Sequence, residues 1–241
     1  MDVQIAAPLP DERGGFGRGV TASLPVMIGF VPFALVLGAQ ASGKGFSAVE
    51  VPLLTGLNFG GGSEFAAVGL WTSPPHLLLI AGVTLLVNSR HLLMGAALAP
   101  WIAHLPRRKA LPALFLMCDE SWAMGLADTK RRAAAGVRTP FSLRYYLGVS
   151  AGLYATWVVF TAAGALLGPA MGDITHWGFD MAFPAVFLVL LRGMWTGARA
   201  ALPWVVSLAA AVAAYLLLPG AWYLPAGALA GLAAAWLGAR R

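Results

Sequence analysis

Charged residues are scarce in this chain, and the shortage excludes an ordinary soluble fold. Asp, Glu, Lys and Arg make up 11% of the 241 residues, whereas a soluble domain carries about 25%. Hydrophobic residues make up 59%, more than a soluble core can bury, because even large domains keep much of their surface in water. Several apolar runs exceed about 18 residues, which is typical of membrane-spanning helices. We therefore expect an all-α integral membrane protein.

Other absences narrow the function. A single cysteine, Cys118, excludes an internal disulfide. The sequence contains no GxxxxGK[ST] phosphate-binding loop, which argues against ATP-driven transport by this chain alone. It also contains no HExxH motif, and we expect no metal and no cofactor. The net charge of +6 comes from clusters in short loops, so it predicts cytoplasmic loops at a lipid bilayer and no nucleic acid partner.

Apolar runs separated by prolines and basic loops predict six to eight membrane segments. Their approximate bounds are 20–41, 49–72, 76–103, 110–127, 143–168, 181–199, 200–218 and 222–238. The expected fold is a polytopic helical bundle in which glycine or proline breaks some helices or makes them re-entrant. We divide the chain into a flexible N-terminal tail, one transmembrane transporter domain and a short basic end, with bounds 1–19, 20–238 and 239–241.

Basic clusters set the expected orientation through the positive-inside rule. If all eight segments span and the N-terminal tail is cytoplasmic, the cluster at 107–109 falls outside, against the rule. The conflict disappears if segment 49–72 is re-entrant and segment 110–127 enters and leaves from the cytoplasmic side. We therefore expect both termini to be cytoplasmic.

Segment 76–103 carries Asn88, Arg90 and His91 in an otherwise apolar run. As one helix it would be about 42 Å long at 1.5 Å per residue, and Arg90 would lie at its midpoint, too deep to reach the membrane surface. The three polar side chains would cover about half of the helix circumference. Protein or a water-filled cavity must cover that face.

Segment 110–127 has the same pattern, with Asp119 and Glu120 at its midpoint. Each charged residue at the bilayer centre costs about 2.5–3.5 kcal/mol, so these two and Arg90 would cost on the order of 8–10 kcal/mol if unpaired. Pairing of Arg90 with Asp119 or with Glu120 lowers this cost. At least one carboxylate is then left to be protonated, hydrated or free to bind a ligand.

The motif "NFGGGSEF" places three glycines, Gly60, Gly61 and Gly62, inside a third segment. Each costs about 1 kcal/mol relative to alanine in a helix, which favours unwinding there. We expect Ser63 to be the N-cap of a second half-helix, with Glu64 in its first turn. Half-helix N-termini at this depth hold anionic groups, such as a substrate carboxylate, in transporters.

Each feature also has a purely structural interpretation. An Arg–Asp pair can serve only to fix helix packing, the glycines can serve close helix contact, and Glu64 can merely complement a helix N-terminus. Taken together at one depth, the charges and the glycine break favour a transport or proton-relay site. A weak internal repeat, "GLNFGGGSEF" (56–65) with "GFDMAFPAVF" (178–187), is also typical of transporters.

Three stretches, "NSRHLLMGAALAP" (88–100), "CDESWAM" (118–124) and "FGGGSEF" (59–65), resemble the AzlC family of bacterial branched-chain amino-acid permeases. The resemblance covers roughly residues 20 to 200. It implies a plasma-membrane exporter of branched-chain amino acids that works with a small membrane subunit of the AzlD type. At the position of Glu64 the family often has Gln. Because this chain has a carboxylate there instead of an amide, the resemblance does not establish specificity for valine-like substrates.

The leading hypothesis is a secondary transporter, not an enzyme, that exports branched-chain or similar small hydrophobic amino acids with the proton gradient. The expected substrate-binding residues are Gly60, Gly61, Gly62, Ser63, Asn88 and Arg90. The expected proton-coupling or ion-pairing residues are Glu64, His91, Asp119 and Glu120. The alternatives are a membrane-embedded enzyme with a His/Asp/Glu site and a scaffold subunit that does not transport.

Overall fold

The computed structural model describes residues 14–171, 201–218 and 222–239, with a few single positions between 188 and 198. All regular elements in these ranges are helices, which confirms the all-α prediction. They are α1 (Gly15–Gly43), α2 (Glu50–Asn58), α3 (Gly62–Gly69), α4 (Leu77–Asn88), α5 (Arg90–Ile102), α6 (Arg107–Phe115), α7 (Asp119–Ala134), α8 (Leu143–Met171), α9 (Leu202–Leu217) and α10 (Tyr223–Ala239). Residues 1–13 and 240–241, nearly all of the predicted segment 181–199, and the second repeat copy (178–187) lie outside the described residues.

Three stretches are long and apolar enough to cross a membrane: Gly15–Gly43, Leu77–Ile102 and Leu143–Ala170. Helices α9 and α10 are apolar but shorter, with 16 and 17 residues. At 1.5 Å per residue each is about 24–26 Å long, somewhat less than the roughly 30 Å hydrocarbon core. The structure therefore supports a polytopic membrane protein, while the number of spans depends on the shorter and broken helices.

Helices α1 and α8 pack closely because glycines remove the side chains between their backbones. A Cβ at Gly38 would overlap the carbonyl oxygen of Thr161, and one at Gly164 would overlap that of Leu35. Small residues permit this approach in membranes, where van der Waals packing replaces the hydrophobic effect as the main force between helices. The α1–α8 pair therefore forms the framework against which α2, α3, α6 and α7 pack.

Gly38→Ala is expected to destabilise this pair, because the added methyl group must push the two backbones apart. Overpacking of this kind costs about 1–3 kcal/mol. Gly29→Ala is the matched control on the same helix, since a Cβ there meets nothing within 4 Å. The unfolding temperature in detergent should fall for Gly38→Ala and not for Gly29→Ala. Equal temperatures for the two variants would disprove the close approach.

The predicted break in segment 49–72 is confirmed. Helix α2 ends at Asn58 and α3 begins at Gly62, and residues 59–61, here called the first break, are not helical. Phe59 adopts a left-handed conformation (φ 45°, ψ 42°), and Gly61 also has a positive φ of 55°. A left-handed conformation is unfavourable for a residue with a Cβ, so Phe59 is held there by its surroundings.

Ser63 is not the N-cap of α3, and that prediction was wrong. The helix begins two residues earlier than predicted, at Gly62, with Gly61 in the capping position and no side-chain cap. The hydroxyl of Ser63 instead accepts a hydrogen bond of 2.8 Å from Asn58 Nδ2 across the break. Glu64 does lie in the first turn of α3, as expected.

The predicted helix 76–103 is two helices, α4 and α5, that meet at Ser89. We call this position the second break, where the Ser89 amide donates to the Leu86 carbonyl, three residues back, at 3.3 Å. The interruption is slight, since both dihedral angles of Ser89 stay in the helical region. The polar triplet therefore flanks a one-residue junction near the middle of the apolar stretch Leu77–Ile102.

The predicted segment 110–127 is also broken, between α6 and α7. At residues 116–118, here called the third break, Cys118 is extended (φ −123°, ψ 174°). Asp119 and Glu120 therefore occupy the first turn of α7 rather than the middle of a helix, which corrects the expectation. Acidic groups are favourable there because the N-terminus of a helix carries partial positive charge.

Candidate functional site

The three helix breaks meet through polar side chains. Asn88 Nδ2 at the second break donates to Asn58 Oδ1 at the first, at 2.9 Å. Arg90 Nη2 donates to the carbonyl oxygen of Gly60 at 2.8 Å, and Arg90 Nη1 lies 3.0 Å from Asp119 Oδ2 at the third break. Arg90 thus contacts both other breaks, and residues distant in sequence form one polar cluster.

Glu64 is fully buried and accepts hydrogen bonds on both carboxylate oxygens. Oε1 accepts from the Gly60 amide at 3.0 Å and from Asn58 Nδ2 at 3.3 Å. Oε2 accepts from the indole Nε1 of Trp157, on α8, at 2.7 Å. These three donors are all uncharged. The sequence predicted that the Gly60 N–H binds a substrate carboxylate. In the structure this N–H donates to the protein's own carboxylate, that of Glu64.

Gly60 occupies a position with no room for a side chain. A Cβ there would overlap the Ser63 hydroxyl and would lie 2.7 Å from Asn88 Oδ1 and 3.0 Å from Asn58 Nδ2. Glycine is needed because three polar side chains approach the backbone at this point. At Gly61 the need is different, because its positive φ is unfavourable for other residues although a Cβ would meet nothing.

The ion pair between Arg90 and Asp119 is partly open. Their side chains are 33% and 35% exposed, although Arg90 lies in the apolar stretch Leu77–Ile102. Two polar atoms beside the pair, Arg90 Nε and Asn88 Oδ1, are buried and have no hydrogen-bond partner among the described residues. Buried polar atoms are usually paired, so this is where an additional polar group would be accommodated.

Asp119, rather than Glu120, is the partner of Arg90, which resolves a choice that the sequence left open. His91, in the first turn of α5, has Nδ1 3.2 Å from the carbonyl oxygen of Asn88. Its ring is therefore turned back toward α4. His91 and Glu120 thus lie next to the polar cluster in sequence, while Arg90, Asp119 and Glu64 are its ionisable members.

Sequence reasoning missed two members of the cluster. Trp157 donates to the buried Glu64, and its only signal is a position near the middle of α8, away from the helix ends where interfacial Trp residues normally lie. Asn58 was noted only as part of the repeat, yet it bonds Ser63, Glu64 and Asn88.

Apolar side chains lie one helix turn away from the ion pair, on α5 and α7. Met94 is one turn beyond Arg90 and Trp122 is one turn beyond Asp119, so each lies on the same helix face as the charged residue before it. Trp122 Nε1 donates to the Met94 carbonyl oxygen at 3.1 Å. Both pack against a buried cluster that includes Leu98.

Comparison with known proteins agrees with the sequence resemblance. The family model described as "AzlC protein" matches residues 25–171, which include all three breaks. An "Uncharacterized membrane protein" of Archaeoglobus fulgidus is 31% identical over 179 residues, covering 73% of this chain and 74% of the relative. "Inner membrane protein YgaZ" of Escherichia coli is 26% identical over 69% of this chain and 68% of the relative. "Branched-chain amino acid transport protein AzlC" of Bacillus subtilis is 25% identical over 72% of this chain and 65% of the relative. No solved structure matches the chain.

Proposed function

The chain belongs to the AzlC family, and from that premise we propose that it is a secondary transporter that exports branched-chain or similar small hydrophobic amino acids with the proton gradient. The name of the Bacillus subtilis relative supports the substrate class. The observation that carries the proposal is the polar cluster in which Arg90 bridges the first and third breaks. Broken helices with polar groups at the break are how secondary transporters build substrate sites inside the membrane.

The substrate site lies at the first and second breaks and is accessible from the open side of Arg90. The guanidinium group binds the substrate carboxylate, because a charge-assisted hydrogen bond is about twice as strong as a neutral one. The unpaired Oδ1 of Asn88 and the backbone of the first break complete the site. Its residues are Gly60, Gly61, Gly62, Ser63, Asn88 and Arg90.

Glu64 is the strongest candidate for proton coupling among Glu64, His91, Asp119 and Glu120. An ionised carboxylate only accepts hydrogen bonds, whereas a protonated one also carries a donor. Three donors already point at Glu64, so its protonation weakens these bonds, because a neutral carboxyl group is a weaker acceptor than a carboxylate. Proton binding would thereby change how tightly the first break is held to α8.

We also propose six to eight membrane segments, both termini in the cytoplasm and a single transporter domain at 20–238. Support comes from the basic residues that flank α6 and α7 along the chain, which are Arg107, Arg108 and Lys109 at the start of α6 and Lys130, Arg131 and Arg132 near the end of α7. Basic residues at both ends fit a segment that enters and leaves from the cytoplasmic side. A small AzlD-type subunit is the proposed partner.

Efflux of labelled leucine, isoleucine and valine from cells that express the chain tests this function. The cells carry the chain with and without a small AzlD-type subunit, and with and without a protonophore. We expect efflux that the protonophore suppresses. No efflux of any of the three, with the subunit present and the chain well expressed, would contradict the substrate class. Metal content of the purified protein separately tests the enzyme alternative.

In the same assay, Glu64→Gln is expected to lose proton-driven efflux while exchange of leucine for leucine continues. An amide cannot take up or release a proton, but its oxygen can still accept a hydrogen bond in the first break. Glu50→Gln is the control, because Glu50 is exposed at the start of α2. If Glu64→Gln responded to the protonophore as the unmodified chain does, another group would be the proton carrier.

A further inference from the structure

We propose that Arg90 and Asp119 bind the substrate as a zwitterion, with Arg90 on the α-carboxylate and Asp119 on the α-ammonium group. This inference rests on the proposed transport function and adds a second specificity-determining residue to it. It assigns the Arg90–Asp119 pair to recognition of both charges of an amino acid, and not only to helix packing.

The first support is the contrast between the two acidic residues of the cluster. Glu64 is fully buried, and three neutral donors already occupy its oxygens. Asp119 is about one third exposed, and the contact with Arg90 is its one ion pair among the described residues. Asp119 is therefore the acidic group of the cluster that a ligand can reach.

The second support is the way Arg90 is held. Its Nη2 donates to the Gly60 carbonyl oxygen while its Nη1 meets Asp119. When Nη1 turns from Asp119 to a substrate carboxylate, the Gly60 contact keeps the guanidinium group in place. The buried and unpaired Nε gives the group one further donor.

The third support is that Arg90 and Asp119 must each keep a partner of opposite charge when the substrate binds. A plain carboxylate that binds Arg90 would leave Asp119 without its partner, and a plain amine that binds Asp119 would leave Arg90 without its partner. Leaving one charge of a partly buried ion pair without its partner is unfavourable. A zwitterion replaces both halves of the pair at once, so neither protein charge is left uncompensated.

The apolar side chains next to the pair complete the recognition of an aliphatic amino acid. Met94 follows Arg90 by one turn of α5, and Trp122 follows Asp119 by one turn of α7. With Leu98 behind them, they border the side of the pair on which the substrate's hydrocarbon side chain would lie. The two ends of the site therefore match the two parts of a branched-chain amino acid.

Binding to the purified full chain in detergent tests the inference. The ligands are leucine, 4-methylpentanoate, which lacks the amino group, and 3-methylbutylamine, which lacks the carboxylate. We expect leucine to bind at least about tenfold more tightly than either analogue, as the loss of a charged hydrogen bond implies. Equal binding of 4-methylpentanoate and leucine by the unmodified chain would overturn the inference without any variant.

The same binding measurement on the variant Asp119→Asn is a second test. Glu50→Gln, at an exposed acidic residue, is its control. The variant should bind leucine at least about tenfold more weakly and bind 4-methylpentanoate no more weakly than the unmodified chain does. Leucine binding that Asp119→Asn leaves unchanged would overturn this inference and leave the transport proposal standing. Absence of binding by leucine, isoleucine and valine to the unmodified chain would overturn both.

Discussion

Arg90→Ala is expected to reduce leucine efflux by at least about tenfold and up to about a hundredfold. The variant removes the contact with the Gly60 carbonyl, the ion pair with Asp119 and the proposed donor to the substrate carboxylate. A hydrogen bond to a charged group contributes about 1.5–3 kcal/mol, and each 1.4 kcal/mol corresponds to about a factor of ten. The rate of leucine efflux per molecule of protein should fall, and not only the amount of protein that is expressed.

Arg108→Ala is the matched control, because Arg108 is exposed in the first turn of α6 and is not a member of the polar cluster. Arg90→Lys separates charge from geometry. A lysine keeps the positive charge but lacks the planar fork that reaches Gly60 and Asp119 at once, so we expect an intermediate rate. Efflux by Arg90→Ala at the rate of Arg108→Ala would contradict a role for Arg90 in transport.

Gly60→Ala is expected to have an effect of similar size, although it changes no charge. The added methyl group overlaps the Ser63 hydroxyl and crowds Asn88 and Asn58. These side chains must move, which disrupts the hydrogen bonds that join the first and second breaks. The Gly60 backbone is also hydrogen-bonded to Arg90 and Glu64. A small shift of this backbone therefore displaces both proposed functional groups.

Gly69→Ala is the control for this variant, since it lies at the end of α3 and a Cβ there meets nothing within 4 Å. Both variants are compared by leucine efflux and by unfolding temperature in detergent. We expect Gly60→Ala to lose efflux and Gly69→Ala to keep it. Normal efflux by Gly60→Ala would show that the close approach at the first break is not required.

The helix breaks could be predicted in part from residue type. Three consecutive glycines in an apolar segment favour unwinding, and the first break is observed there. Charges in apolar segments must be paired, and the pair of Arg90 with Asp119 is observed. In both cases a local energetic penalty identifies the residues without any knowledge of the tertiary structure.

Other features depend on tertiary contacts and could not be predicted. Trp157 reaches Glu64 only because α8 packs against the first break. The exact start of α3 depends on the dihedral angles of Gly61, so Ser63 was wrongly assigned as the cap. The third break, at 116–118, contains no glycine or proline, and its extended Cys118 has no signal in the hydrophobic pattern.

Counterflow of labelled leucine into proteoliposomes loaded with unlabelled leucine is the most direct test of the central claim, because it requires no proton gradient. The assay compares the unmodified chain, reconstituted with and without an AzlD-type subunit, with Arg90→Ala. We expect transient accumulation of label for the unmodified chain and none above empty liposomes for Arg90→Ala. No accumulation by the unmodified chain in either form, or equal accumulation by Arg90→Ala, would contradict a transport site built around Arg90.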